Sequence, residues 1–255
     1  MLMLAKLFAI DILGFAVMSN HYHIVLQVNV SETIHWTDSD IANKWLALNP
    51  RKHESQTSRD TRKLMIMNSP ARCHVLRDRL GSLSWFMRYL NEPLARMANI
   101  EDGCKGHFWE GRFKSQRLLD EHAILAAMVY VDLNPARAGT TKDIVDGKYT
   151  SLAHRLALNS DADKPMTVIS KPHKLIPISL TLTQYIQLAR WTVDIQQSKR
   201  PTSFKGIPPT HLWIHHYLPA PGHWQRAIGS VQSLKDYAKD LGQCWIKTRT
   251  SGLLI

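Results

Sequence analysis

The sequence predicts an α+β fold, and three observations carry that prediction. Residues 15–28 read as two short strands around a Ser19-Asn20 turn. Residues 82–98 and 120–134 repeat their apolar residues at helical spacing. Hydrophobic residues make up 44% of the 255-residue chain, enough for a packed core and too many for wholesale disorder.

In chain order, residues 1–12 read as the end of an amphipathic helix with Leu4, Leu7 and Phe8 on one side. Phe15 to Met18 is expected as a strand, and His21 to Val28 as its return strand in a hairpin. Alternation in the return strand is strict. Tyr22, Ile24, Leu26 and Val28 form the face predicted to meet helices, and His21, His23, Val25 and Gln27 form the other. A short helix is predicted over 37–48, capped by Thr37 or Asp38 and ending before Asn49-Pro50. Residues 51–63 are polar and are expected as an exposed loop, and Ser69 to Cys73 as a turn.

The helix over 82–98 carries Trp85, Phe86, Tyr89 and Leu90, with Pro93 predicted to kink or break it. Glycines mark 101–106 as a loop. Phe108 to Leu118 alternates loosely and is expected as a strand with a basic, aromatic face. Asp120 caps a helix running to Leu133, which Asn134-Pro135 ends. Composition shifts near residue 150. The predicted organisation is therefore a domain over 1–150, a linker or surface excursion over 151–179 that is clearest in 157–179, and a mostly helical extension over 180–255. Within that extension a helix is predicted over 180–197. A proline-rich stretch with His211, His215, His216 and His223 follows over 201–223, then two short helices around Gly229-Ser230 that end in Trp245.

Net charge is +11, with a pI near 9.7, and such an excess suits a polyanionic partner, nucleic acid first. The three cysteines, Cys73, Cys104 and Cys244, form no Cys-x-x-Cys pair and no disulfide framework, which fits a reducing cytoplasm. Cys104 and His107 have a zinc-like spacing that is frequent by chance. The apolar start, Met1 to Met18, is interrupted by Lys6 and Asp11 and shows neither a membrane span nor an export signal.

His21 and His23, two apart on a strand, stand about 7 Å from each other along it and can share one metal ion if a third group arrives from elsewhere. Tyr130 and Asn134 are four apart and share a helix face. A tyrosine oxygen is a capable nucleophile for a phosphodiester, because the phosphotyrosine it forms conserves the bond energy. Each piece has an ordinary alternative: an incidental His-x-His, a packing tyrosine, and Asn-Pro as capping grammar.

Taken together, Met18-Ser19-Asn20-His21-Tyr22-His23, Phe108-Trp109-Glu110-Gly111-Arg112-Phe113 and Tyr130-Val131-Asp132-Leu133-Asn134-Pro135-Ala136-Arg137-Ala138-Gly139 resemble three ordered blocks of the single-tyrosine transposases of the HUH endonuclease superfamily. The REP-associated tyrosine transposase branch is the nearest match. The resemblance covers about residues 1–150, and more weakly the tail around Trp191 and Ala227-Ile228-Gly229-Ser230.

The resemblance implies a ferredoxin-like sandwich with a central antiparallel sheet. By position, His21 and His23 would hold Mg²⁺ or Mn²⁺, with Asn134 completing the set, and Tyr130 would attack the scissile phosphate of single-stranded, hairpin-flanked DNA. The implied product is a 5′-phosphotyrosine link plus a free 3′-hydroxyl that can later rejoin strands. The implied setting is a monomer or homodimer in the cytoplasm, associated with the nucleoid. Arg112, Lys114, Arg117 and Arg137 are expected to contact DNA phosphates. Relatives begin with a further strand and most of a helix ahead of this chain's Met1, so an N-terminally short domain is expected. A catalytically impaired DNA-binding remnant is the alternative function.

Overall fold

Ser19-Asn20 turns the chain between two paired strands, as predicted. The protein is described from a computed structural model over residues 1–158, 161–197, 202–214 and 225–244. Helix α1 spans only Leu2–Ala5, shorter than the helix expected over 1–12, because strand β1 (Ile10–Val17) already begins at Ile10. β1 pairs with β2 (Tyr22–Val28), and Met18 N–H donates to the His21 carbonyl at 2.9 Å across the turn. β1 is buried on both faces from Ile10 to Gly14, which its near-continuous apolar run permits.

The predicted facing of β2 is reversed. Val25, on the histidine side, is its buried residue, whereas Tyr22, Ile24 and Leu26 are half-buried and Val28 is exposed. The side chains alternate as expected, but the histidine face is the one that meets a helix.

The chain forms two compact units, Met1–Ile12 with Leu26–Phe113, and Leu13–Val25 with Lys114–Ile255. This division does not follow the sequence boundaries at 150 and 180.

In the first unit, helix α2 (Asp38–Leu48) opens on a capping box. Thr37 accepts from Asp40 N–H, and Asp40 accepts from Thr37 N–H. The loop expected over 51–63 is instead largely helix α3 (Gln56–Met67), capped by Ser55 and anchored by Arg62 on Glu54 at 2.8 Å. The turn expected at Ser69–Cys73 is the start of helix α4 (Pro70–Leu80), with Pro70 in the first turn, where no N–H is needed. α2, α3 and α4 bury Ile41, Leu46, Ile66, Cys73, Leu76 and Leu80 together. Helix α5 (Leu83–Glu101) continues through Pro93, and its Phe86 ring meets Phe8 edge-on at 5.5 Å.

In the second unit, the strand expected over 108–118 shrinks to β3 (Arg117–Leu118). In the first unit, Trp109 is half-buried, with Nε1–H donating to the Asn91 carbonyl, whereas Phe108 is exposed. Helix α6 (Glu121–Asp132) is capped by Asp120, as expected. Asn134-Pro135 does not simply stop it, since a further helical turn, α7 (Asn134–Arg137), follows.

Next come α8 (Ser151–Leu158), the hairpin of β4 (Thr167–Val168) and β5 (Lys171–Leu175), and α9 (Leu182–Gln197). The supposed linker therefore contributes to the core: Leu152, Met166, Val168 and Ile176 are buried with residues of α6 and α9. After α10 (Thr210–Leu212), the first of the two helices expected near Gly229 is replaced by β6 (Ala227–Ile228), which pairs in parallel with β3. The second is α11 (Val231–Asp240). His215, His216, His223 and Trp245 lie outside the described residues. Among the described residues the strands make three two-stranded sheets, so the architecture is mixed α+β. No described helix is long and apolar enough to cross a membrane.

Candidate functional site

α6 is apolar around most of its circumference. It buries Ala123, Leu125, Ala126, Ala127, Met128, Val129 and Val131 and leaves Tyr130 half-buried near its C-terminal end. Val25 on β2 shares the core with Met128 and Val129. Because side chains alternate along a strand, His23 emerges on the same side as Val25 and reaches the end of α6 where Tyr130 lies. The His23 and Tyr130 rings meet edge-to-face, with centroids 6.0 Å apart. The His21 and His23 rings are similarly edge-to-face at 5.1 Å. The Arg137 guanidinium also lies 4.7 Å from the Tyr130 ring centroid.

Asn134 is tied to the same helix end, with its Nδ2–H donating to the Tyr130 carbonyl at 3.0 Å. That bond uses the amide nitrogen and leaves the amide oxygen as an acceptor. His21 Nδ1 lies 2.6 Å from Asn20 Oδ1. An amide oxygen can only accept, so that contact puts a proton on Nδ1 and leaves the lone pair of a neutral ring on Nε2. His23 is held below the ordinary histidine pKa by burial first and by the neighbouring His21 second. Both effects favour the neutral imidazole that a metal requires.

The end of α6 is fastened from beneath by Asp132, which is fully buried. Its Oδ1 accepts from Ser151 Oγ–H at 2.7 Å and from Leu152 N–H at 3.0 Å, and its Oδ2 accepts from Tyr185 O–H at 2.7 Å. Nearby, Arg155 donates to the Leu13 and Thr167 carbonyls at 2.9 and 2.6 Å. Asp132 and Arg155 thus connect α6 and β1 to the elements that follow them within this unit. Sequence reading missed this network. The available signal was one acid inside the apolar run Ala126–Leu133, where a carboxylate needs internal partners.

Of the sequence-predicted residues, His21, His23, Tyr130 and Arg137 are linked by successive ring and guanidinium contacts, and the amide nitrogen of Asn134 is bonded to the Tyr130 carbonyl. Arg117 is exposed, with its guanidinium 5.0 Å from the Tyr237 ring rather than beside Tyr130. Lys114 is exposed. Arg112 belongs to the other unit, where Nη2–H donates to Ser84 Oγ at 3.3 Å. Exposed Cys104 donates to the Asp102 carbonyl, and among the described residues no group of three or more His, Cys, Asp or Glu is placed to hold a metal ion. No protein-family model, curated protein or solved structure gives a significant match to the chain.

Proposed function

We propose that the unit containing His21, His23 and Tyr130 is a metal-dependent centre for cutting and rejoining single-stranded DNA, of the kind found in REP-associated tyrosine transposases. The observation that carries this reading is the convergence of the His23 ring, the Tyr130 ring and Arg137 at the junction of α6 and α7. His23 lies more than a hundred residues before Tyr130 and Arg137 in the sequence, and ordinary packing does not require a guanidinium and an imidazole on a single phenol.

In this reading the β1–β2 hairpin and α6 belong to a ferredoxin-like sandwich. The neutral imidazoles of His21 and His23 and the Asn134 oxygen suit Mg²⁺ or Mn²⁺ as a partial ligand set that leaves positions for water and phosphate. Such an ion, when bound, would polarise a non-bridging phosphate oxygen. The chain's own groups do the remainder. Arg137, beside the Tyr130 ring, draws the phosphate towards the phenol, whose proton passes to solvent water. The phenol oxygen forms a bond to phosphorus, the bond to the 3′-oxygen breaks, and the released 3′-oxygen takes up a proton from water. The reverse attack by a 3′-hydroxyl rejoins strands and frees Tyr130. The substrate class is hairpin-flanked single-stranded DNA, and the setting is the cytoplasm, at the nucleoid.

The test is incubation of the full chain with end-labelled hairpin DNA and Mn²⁺, followed by denaturing electrophoresis. A protein–DNA adduct is expected from the wild type, none from Tyr130→Phe, and a strongly reduced yield from His23→Ala. A second reading, a catalytically impaired DNA-binding remnant, is favoured by the small sheet, since β1 and β2 pair as a two-stranded sheet. It predicts salt-sensitive hairpin binding that Tyr130→Phe leaves unchanged, with no adduct from either protein.

A further inference from the structure

The first unit carries a cluster of aromatic and guanidinium groups that takes no part in the Tyr130 centre. Trp45 comes from α2, Arg72 and Arg79 from α4, and Trp85, Arg88 and Tyr89 from α5. The Trp45 and Trp85 rings meet at 6.0 Å, and the Tyr89 ring stands 6.2 and 6.3 Å from them. The Arg79 guanidinium lies 4.4 Å from the Trp85 centroid and 5.6 Å from that of Trp45, and Arg88 lies 5.2 Å from Trp85. Beside the cluster is an open cleft of ≈ 410 Å³ lined by Trp45, Ala71, Arg72, Val75, Leu76 and Arg79.

Packing against Leu46 and its neighbours accounts for part of Trp45. It does not account for two guanidiniums on one cleft. Among the described residues no carboxylate comes within ion-pair distance of Arg72 or Arg79, whereas Arg88 pairs with Glu92 at 3.3 Å. A buried hydrophobic seam would have no use for these charges, and a solubilising surface would have no use for the indoles. The combination suits a ligand with both a flat π-face and negative charge.

We propose that this cleft is a separate binding site for an unpaired base of a single-stranded nucleic acid. The base stacks on Trp45 and the Arg79 plane, and a flanking phosphate sits on Arg72. Bases stack on indole and guanidinium planes without regard to sequence, and cations beside them track the backbone. The net charge of +11 provides the long-range attraction. An acidic peptide would use the arginines but gain little from the rings. The site goes beyond the Tyr130 reading and does not depend on it.

The experiment uses the full chain carrying Tyr130→Phe, so that strand cutting does not enter. Binding of fluorescein-labelled oligothymidylate is followed by anisotropy at stepped salt. Arg72→Ala, at an exposed position, should weaken binding roughly tenfold and lower the salt slope by about one. Arg79→Lys keeps the charge but removes the planar group, and should weaken binding roughly fivefold. Photo-crosslinking with 5-iodouracil in the oligonucleotide should label Trp45 or Trp85. The proposal is overturned if both variants bind like their parent and labelling maps outside α2, α4 and α5. It is also overturned if oligoglutamate displaces the oligonucleotide as well as unlabelled oligothymidylate does. Absence of a covalent adduct in the wild type would count against the Tyr130 centre and leave this result unaffected.

Discussion

The Tyr185 hydroxyl donates to Asp132 Oδ2 at 2.7 Å, two residues along α6 from Tyr130. Both partners are buried, so neither can exchange this bond for water. Tyr185→Phe strands one carboxylate oxygen and should cost about 1–3 kcal/mol in denaturant unfolding. Asp132→Ala also strands Ser151, Leu152 N–H and the charge balance of Arg155, and should cost about 3 kcal/mol or more. If the network also holds the end of α6 in place, adduct yield in folded Tyr185→Phe should fall while oligonucleotide affinity stays near that of the wild type. Unchanged adduct yield would confine the network to stability.

Asp132 also gives a pH dependence. Burial raises its pKa above the usual 3.8, against the lowering effects of the hydrogen bonds from Tyr185, Ser151 and Leu152 and the charge of Arg155. A carboxyl raised in the folded state contributes stability that is whole below 3.8 and is lost as pH rises through the folded value. Asp132→Asn keeps the shape and cannot titrate. Urea midpoints measured at stepped pH should therefore shift in favour of Asp132→Asn, relative to the wild type, as pH rises across that window.

His23 behaves in the opposite sense. Its folded pKa lies below 6.5, through burial and then through His21. The stability it contributes is whole above 6.5 and is lost as pH falls through the folded value. In an NMR titration without metal, the His23 ring should titrate below the usual histidine range. In His21→Ala its midpoint should rise only part of the way back, because desolvation, the larger cause, remains. Full restoration would mean that the neighbouring imidazole, not burial, sets the shift.

What could be read in the sequence followed the local signals. Asp120 and the apolar run behind it announced α6, and Thr37-Asp38 announced α2, because a cap and its helix are neighbours in the chain. The ring pair His23–Tyr130 was expected only through motif order, since nothing in either segment alone says that they meet. α3 was missed because it buries little: Ile66 is covered, but Leu64 and Met65 are 56% and 62% exposed, so its apolar stripe is faint. The covered face of β2 was misjudged for a similar reason. Hydrophobicity favoured the Ile24 and Leu26 face, while Val25 is what α6 covers. β3 and β6 are short partners more than a hundred residues apart, which alternation cannot reveal.

The same remote pairing yields the last prediction. Asp120 accepts from Ala123 N–H through Oδ1 at 2.9 Å, capping α6, and from Ser230 N–H through Oδ2 at 2.6 Å, where α11 begins. Ser233 Oγ–H adds a 3.2 Å bond to Oδ2. One carboxylate therefore serves the N-terminal ends of two helices and fixes β6 alongside β3. The fit is close, because a Cβ on Gly229 would stand 2.9 Å from Leu119 Cβ and 3.1 Å from Asp120 Oδ2. Asp120→Ala should lower stability by about 1–2 kcal/mol through the lost α6 cap and the lost bond from Ser230 N–H. Gly229→Ala leaves both caps chemically intact but forces β6 away from Leu119 and Asp120. Both variants should make the Ala227–Asp240 segment more open to limited proteolysis and hydrogen exchange, ahead of global unfolding. If Gly229→Ala left exchange in α11 at wild-type protection, the close approach at Leu119 would not be what holds this segment in place.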